Sequence, residues 1–173
     1  MPHSLQSRYL KGYQPPAYLV DHIELHVELS PAKTKVRAVL NIRRNLSPMA
    51  PAGPLRLDGR LLELIDVALD GQPLDVSDYH LDEEGLTIHM VPASFTLATT
   101  VMIDPDGNQA LEGLYRSSGI YCTQCEAQGF RKITFYPDRP DVMARFSVTL
   151  VADRQTCPVL LSNGNCIAAG SSG

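Results

Sequence analysis

Apolar and polar side chains alternate along most of this chain. In residues 21–30 every second position is apolar, and the positions between them are mostly histidine or glutamate. A period of two is typical of a β-strand with one buried and one solvated face. A second alternating run covers residues 35–42, and the turn-forming residues 30–33 separate the two runs. Together these runs predict an antiparallel β-hairpin.

Residues 61–70 are ambiguous, because their apolar side chains would also line one face of a helix. We favour a strand whose phase changes near Leu64 and Ile65, as happens at a β-bulge. The Asp70-Gly71 step that follows is a strong signal for a tight hairpin turn.

Turn residues divide the rest of the chain into further short runs. One helical turn is predicted at residues 140–144, because Pro140 suits the first helical position and Asp138 is placed to cap it. Further strands are predicted at residues 79–81, 86–90, 95–103, 120–126, 145–151 and 158–161. This pattern predicts a single all-β domain over residues 1–173, built as an antiparallel sandwich or a curved sheet.

Charge and hydropathy argue against several classes of function. The net charge is -4 and no basic block is present, which disfavours nucleic-acid binding. No apolar run approaches the roughly 20 residues that cross a bilayer. Residues 1–8 are polar and unlike a secretory signal. We therefore expect a cytoplasmic protein that binds neither nucleic acid nor membrane.

Two histidines separated by four positions suggest a zinc site. His22 and His26 flank Glu24, whereas the zinc-protease motif lies on a helix and has its glutamate directly after the first histidine. On a strand the two histidines would lie ~13 Å apart, at ~3.3 Å per residue. A solvated strand face is the preferred interpretation, and no His-Glu-x-x-His motif occurs in the chain.

The four cysteines include one Cys-x-x-Cys motif, Cys122-Thr123-Gln124-Cys125. A structural zinc site needs a second close pair, but Cys157 and Cys166 are nine residues apart. A redox pair needs a helix start within a βαβ pattern, and these surroundings are β-rich. We expect incidental free thiols, with a metal or redox role as the minor alternative.

Gln124 and Glu126 are the most suggestive polar pair. On a strand over residues 120–126 they would point to the same side. Glu126 could then hold a cation such as an amino terminus, and Gln124 could supply a directed hydrogen bond. The alternative is an exposed Glu126 that pairs with Arg131, and the residues alone leave both interpretations open.

The stretch around this pair reads Cys122-Thr123-Gln124-Cys125-Glu126-Ala127-Gln128-Gly129-Phe130-Arg131-Lys132-Ile133-Thr134. Together with this stretch, seven shorter ones resemble the aminopeptidase N family of bacterial zinc exopeptidases. They lie at residues 10–13, 15–22, 41–45, 110–115, 138–142, 144–146 and 160–165. The resemblance runs from about Tyr9 to Asn165, and between residues 48 and 100 it rests more on pattern than on identity.

The resemblance implies a multidomain zinc enzyme that removes the N-terminal residue of peptides. This chain would be its first domain, an all-β saddle packed on a downstream catalytic domain of the same polypeptide. Glu126 would bind the α-amino group of the peptide substrate, and Gln124 would line the pocket for the first substrate residue. The zinc ligands and the general base would all lie downstream.

These expectations describe an enzyme part without its catalyst. The chain would hold no catalytic residue and no zinc, and alone it would be inactive, whereas the full-length enzyme would be a monomer. The family's first domain runs further than residue 173, so the last strands would be missing and an open sheet edge would favour association. The alternatives are a non-catalytic β-sandwich module that binds peptides or proteins, and a small Cys-x-x-Cys metal or redox protein.

Overall fold

A computed structural model describes residues 10–171, and its regular structure is almost entirely β. Single 3-10 turns occur at Leu10–Gly12, Val76–Asp78 and Phe130–Lys132. In this part of the chain no helix has the length and apolarity needed to cross a membrane. The strands are β1 (Tyr18–Glu28), β2 (Thr34–Arg44), β3 (Leu55–Asp58), β4 (Glu63–Leu69), β5 (Gln72–Pro73), β6 (Tyr79–Asp82), β7 (Gly85–Ile88), β8 (Ser94–Ile103), β9 (Gly113–Ser117), β10 (Ile120–Gln124) and β11 (Arg145–Val151).

The largest sheet has six strands in the order β11-β1-β2-β8-β4-β5. The β1–β2 pair confirms the predicted hairpin, and every other pairing except one is also antiparallel. The exception is β11, which runs parallel to β1 at the sheet edge. Ile23 of β1 lies opposite Leu40 of β2 and Phe146 of β11, so one face of the sheet is apolar.

Two β-bulges adjust the register of this sheet. The shift between Val20 and His22 moves the buried set of β1 from even to odd positions. A second shift lies between Leu64 and Asp66 in β4. Because a bulge inserts one unpaired residue, the second shift confirms the phase change predicted near Leu64 and Ile65.

The β4–β5 turn also follows the prediction. Asp70 and Gly71 have φ angles of 49° and 79°, and Leu69 pairs with Gln72 across them. Positive φ at both central residues is the requirement of a two-residue hairpin of this kind, which favours an Asp-Gly sequence.

A three-stranded sheet, β3-β7-β6, and the separate hairpin β9–β10 complete the fold. The three-stranded sheet packs its apolar residues into the core formed by the large sheet, and the hairpin contributes Leu114. The largest fully buried side chains are Phe135, Ile23, Leu40, Ile42, Leu55, Leu57, Leu86, Ile88, Leu97, Val20, Val36 and Val101. The all-β fold class predicted from the alternation is therefore confirmed.

Two predicted elements do not form. Residues 140–144 contain no helical turn, and Asp138 caps nothing there because its carboxylate accepts hydrogen bonds from Arg131 instead. Residues 158–161 are an exposed irregular segment. Their apolar side chains predicted a strand, but a strand also needs a neighbour for its backbone groups, and none pairs with them within residues 10–171.

Candidate functional site

The site predicted at Gln124 and Glu126 lies where the β9–β10 hairpin ends. Gln124 is the last residue of β10, paired with Gly113, the first residue of β9. Because β9 offers no partner beyond Gly113, the predicted strand over residues 120–126 stops at Gln124. The expectation that Gln124 and Glu126 share one strand face is therefore wrong.

A tight turn over residues 125–129 brings the two residues together by another route. The backbone N–H of Gly129 donates to the carbonyl of Cys125 at 2.9 Å. The amide Nε2 of Gln124 donates to the backbone carbonyl of Glu126 at 3.4 Å. The Glu126-Ala127 peptide bond is cis. Gln124 thus contacts the main chain of Glu126 and does not bond to the Glu126 carboxylate.

Two glycines allow the turn to pack closely on the hairpin. A Cβ added to Gly129 would lie 2.5 Å from the carbonyl oxygen of Gln124. A Cβ added to Gly113 would lie 2.6 Å from Cβ of Lys132, and Gly113 also has a φ of +72°. Since real Cβ atoms do not approach so closely, this packing requires glycine at both positions.

The carboxylate of Glu126 is exposed. It forms no ion pair and no side-chain hydrogen bond with any residue in the described range 10–171. The alternative pairing of Glu126 with Arg131 is wrong, because Arg131 is bonded to Asp138 and lies beside Asp58. An unpaired carboxylate keeps its oxygens available for a cationic ligand.

Arg131 is the centre of a half-buried ion network directly after the turn. Its Nε donates to Oδ2 of Asp138 at 2.9 Å, and its Nη2 donates to the Asp138 carbonyl at 3.1 Å. Its Nη1 lies 3.6 Å from Oδ1 of Asp58 on β3. The loop closes where the N–H of Asp138 donates to Oδ2 of Asp58 at 3.0 Å. We call these three residues the Arg131 network.

This network was not predicted from the sequence. Asp58 and Asp138 are 80 positions apart, so no local pattern joins them. The available signal is that Asp138 follows the buried run of residues 133–137, where a charged side chain requires a partner. That signal points to a buried ion pair but not to the identity of the partner.

The Cys-x-x-Cys motif lies on the same hairpin, and both of its thiols are free. Burial, followed by the charge of Asp138, raises the pKa of the Cys125 thiol. Reactive and metal-bound cysteines have a lowered pKa, so this environment does not activate Cys125. Within residues 10–171 no group of three metal-ligating side chains is clustered closely enough to hold a metal ion.

The histidines at positions 22 and 26 lie on the outer face of β1, as the alternation predicts. His22 Nδ1 is 3.9 Å from Glu24, and His26 Nε2 is 3.6 Å from Glu28. His22 Nε2 also lies 3.0 Å from the hydroxyl of Ser147 on β11. These contacts account for the histidines as parts of a solvated sheet surface.

Fold and site together define a β-rich domain that presents a free carboxylate beside a compact hairpin. Residues 15–173 match the profile of the Peptidase M1 N-terminal domain. The chain therefore belongs to that family, which confirms the resemblance identified from the residues around Glu126.

Named relatives agree with this assignment. The chain is 47% identical to aminopeptidase N of Caulobacter vibrioides over 166 residues, which cover 96% of this chain and 19% of that protein. It is 44% identical to aminopeptidase N of Escherichia coli, covering 95% of this chain and 18% of that protein. The chain thus spans less than a fifth of the length of these relatives.

Solved structures show the same fold. Aminopeptidase A of Legionella pneumophila, in complex with aspartic acid, matches with a TM-score of 0.84 and 31% identity, over 91% of this chain and 18% of that chain. An M1 zinc metallopeptidase of Deinococcus radiodurans matches with a TM-score of 0.65 and 16% identity, over 79% of this chain and 32% of that chain. The second likeness is one of fold alone.

Proposed function

We propose that this chain is the first domain of a zinc-dependent aminopeptidase that releases N-terminal residues from peptides. Its membership in the M1 N-terminal family and its identity to two proteins named aminopeptidase N support this proposal. The domain docks on a downstream catalytic domain of the same polypeptide. The full-length polypeptide is cytoplasmic and monomeric.

The anchor for the substrate α-amino group is Glu126. The observation that carries this assignment is its exposed carboxylate without a partner in residues 10–171, on a turn packed through Gly113 and Gly129. A carboxylate binds an ammonium group through charge-assisted hydrogen bonds, which are stronger than neutral ones. Gln124, beside the main chain of Glu126, lines the pocket for the first substrate residue.

Such an anchor suits the task of an exopeptidase. The enzyme has to recognise a chain end and hold the first peptide bond at a fixed distance from it. Correct placement of the scissile bond contributes several orders of magnitude to the rate. Glu126 would thus select free amino termini and align them, without acting as a base or a nucleophile.

Among residues 10–171, no group of three metal-ligating side chains is clustered closely enough to hold zinc. The proposal therefore includes a downstream domain that holds the metal and breaks the bond.

The test is the substitution Glu126→Gln in the full-length polypeptide, assayed with leucine p-nitroanilide. Glutamine keeps the shape and loses the charge that pairs with the ammonium group. We expect kcat/KM to fall at least about tenfold. Glu83→Gln is the matched control, since Glu83 is another exposed glutamate in a turn. Equal rates for the two variants would contradict the anchor assignment.

A further inference from the structure

No strand pairing within residues 10–171 joins the turn that carries Glu126 to either of the larger sheets. It follows β10, and β10 pairs only with β9 in a separate two-stranded sheet. The neighbouring strand is held by the loop at residues 104–109, where Asn108 donates to the carbonyls of Glu112 and Leu114. These bonds hold β9 beside Gln124, and the residues that follow the turn provide a second attachment.

The Arg131 network supplies that attachment. The turn of residues 125–129 continues without a break into the 3-10 turn Phe130–Lys132, which contains Arg131. The carbonyl of Arg131 accepts a hydrogen bond from the N–H of Arg60, 2.9 Å away, just beyond β3. Its guanidinium reaches Asp58 at the end of β3 itself. Two contacts from one residue therefore join the turn to the three-stranded sheet.

Burial makes this attachment rigid. The side chains of Arg131 and Asp138 are 14% and 10% exposed, so water competes little for their hydrogen bonds. Asp58 and Tyr136 exchange both backbone hydrogen bonds, at 2.9 and 3.1 Å, which holds the segment that leads to Asp138 against β3. A planar guanidinium fork can bond a carboxylate and a carbonyl together, whereas the compact ammonium group of lysine cannot reproduce that geometry.

We propose that Arg131, held by Asp58 and Asp138, is a positioning residue that fixes the Glu126 carboxylate relative to the substrate. This inference rests on the proposed role of Glu126 as the amine anchor. Arg131 itself does not touch substrate. It acts through the turn, in which Glu126 lies five residues earlier in the chain.

The experiment compares two inhibitors of the full-length polypeptide that differ only in the α-amino group. Leucine hydroxamate carries this group, and isocaproyl hydroxamate lacks it. Binding of both is measured by calorimetry for the unsubstituted protein, Glu126→Gln, Arg131→Lys and Arg56→Lys. Arg56 is the matched control, because it lies on β3 like Asp58 and makes a two-pronged pair with Asp82 of β6, away from the turn.

For Arg131→Lys we expect leucine hydroxamate to bind at least about fivefold more weakly, with isocaproyl hydroxamate unchanged within about twofold. Arg56→Lys leaves both affinities unchanged. If Arg131 had only a structural role, Arg131→Lys would lower the fraction of protein able to bind. The measured stoichiometry would then fall alike for both inhibitors. Arg131→Lys binding that is unchanged, or that is weakened equally for both inhibitors, overturns the inference.

The Glu126→Gln arm separates this inference from the proposed function. If Glu126→Gln does not discriminate between the inhibitors, the anchor role is wrong. If it discriminates and Arg131→Lys does not, the anchor stands and the positioning role falls. If Arg131→Lys does not fold, Asp58→Asn is measured in its place. This variant keeps an oxygen acceptor for the N–H of Asp138 and removes the charge beside Arg131. We expect from it a smaller loss, again only for leucine hydroxamate.

Discussion

Carboxylates close to the turn of residues 125–129 are paired, and Glu126 differs from them. Glu112 lies 2.7 Å from the ammonium group of Lys132, which lowers the pKa of Glu112. Asp138 is bonded to Arg131. A paired carboxylate is stabilised within its own domain and offers little to a ligand, whereas Glu126, without such a partner among residues 10–171, is exposed to any cation that approaches.

Tyr136 predicts how the core responds to alkaline pH. It is 4% exposed, and burial, followed by the charge of Asp138, raises its pKa from the usual 10.0 to about 12. A raised folded pKa contributes stability that is present below pH 10 and lost as the pH rises towards about 12. Phenylalanine has no group that titrates here. In Tyr136→Phe we therefore expect the loss of unfolding free energy across this pH window to be smaller by on the order of 2 kcal/mol.

The measurement is urea unfolding at intervals across that pH window, with Tyr79→Phe as control. Tyr79 is only partly buried. The hydroxyl of Tyr136 also donates to the carbonyl of Val142, so Tyr136→Phe will cost some stability at neutral pH. An unchanged slope in Tyr136→Phe would contradict the burial account.

Single residues were predictable where their chemistry is local. Whether the Cys-x-x-Cys motif and the histidines of β1 have a metal or redox role could be assessed from their spacing alone. Glu126 could be singled out as a carboxylate beside an amide. The partner of Arg131 could not be predicted, because Asp138 lies in a loop whose path depends on β3. The exact placement of Gln124 against Glu126 depends on where β9 begins, which is also a long-range property.

Among the elements, strands with one buried face were predicted best. The alternation in β1 and β2 reports burial directly, and the phase change in β4 appears as a bulge. Residues 158–161 and 140–144 were predicted wrongly, since an apolar run or a proline describes a local preference while a strand needs a neighbour. Apolar residues 159–161 are instead 40–86% exposed.

The edge strand β11 predicts how the isolated chain behaves. It closes one end of the six-stranded sheet, and Phe146 and Val148 are 51% and 38% exposed. An exposed edge with apolar side chains is a template for further strand pairing. We expect the isolated chain to associate as concentration rises, and Val148→Lys to shift it towards monomer in sedimentation velocity.

Val76→Lys is the control for that experiment, because Val76 is 79% exposed and lies in a 3-10 turn away from this edge. Association that persists unchanged in Val148→Lys would exclude the β11 edge as the contact. A monomer at every concentration tested would exclude the association itself.

At the scale of the whole molecule, we propose that this chain supplies recognition and that the chemistry lies in a downstream domain. It belongs to the M1 N-terminal family and spans 18–19% of the length of two relatives named aminopeptidase N. A rigid β-domain is a suitable support for one fixed carboxylate, since sites on well-packed elements hold their geometry.

The most direct test of this account measures hydrolysis of leucine and alanine p-nitroanilide by the isolated chain, with and without zinc, together with metal analysis of the same sample. The full-length polypeptide is assayed in parallel. The account predicts no turnover and no bound zinc for the isolated chain, and zinc-dependent turnover for the longer polypeptide. Zinc-dependent turnover by the isolated chain would contradict it, and would place a catalytic metal site among these 173 residues.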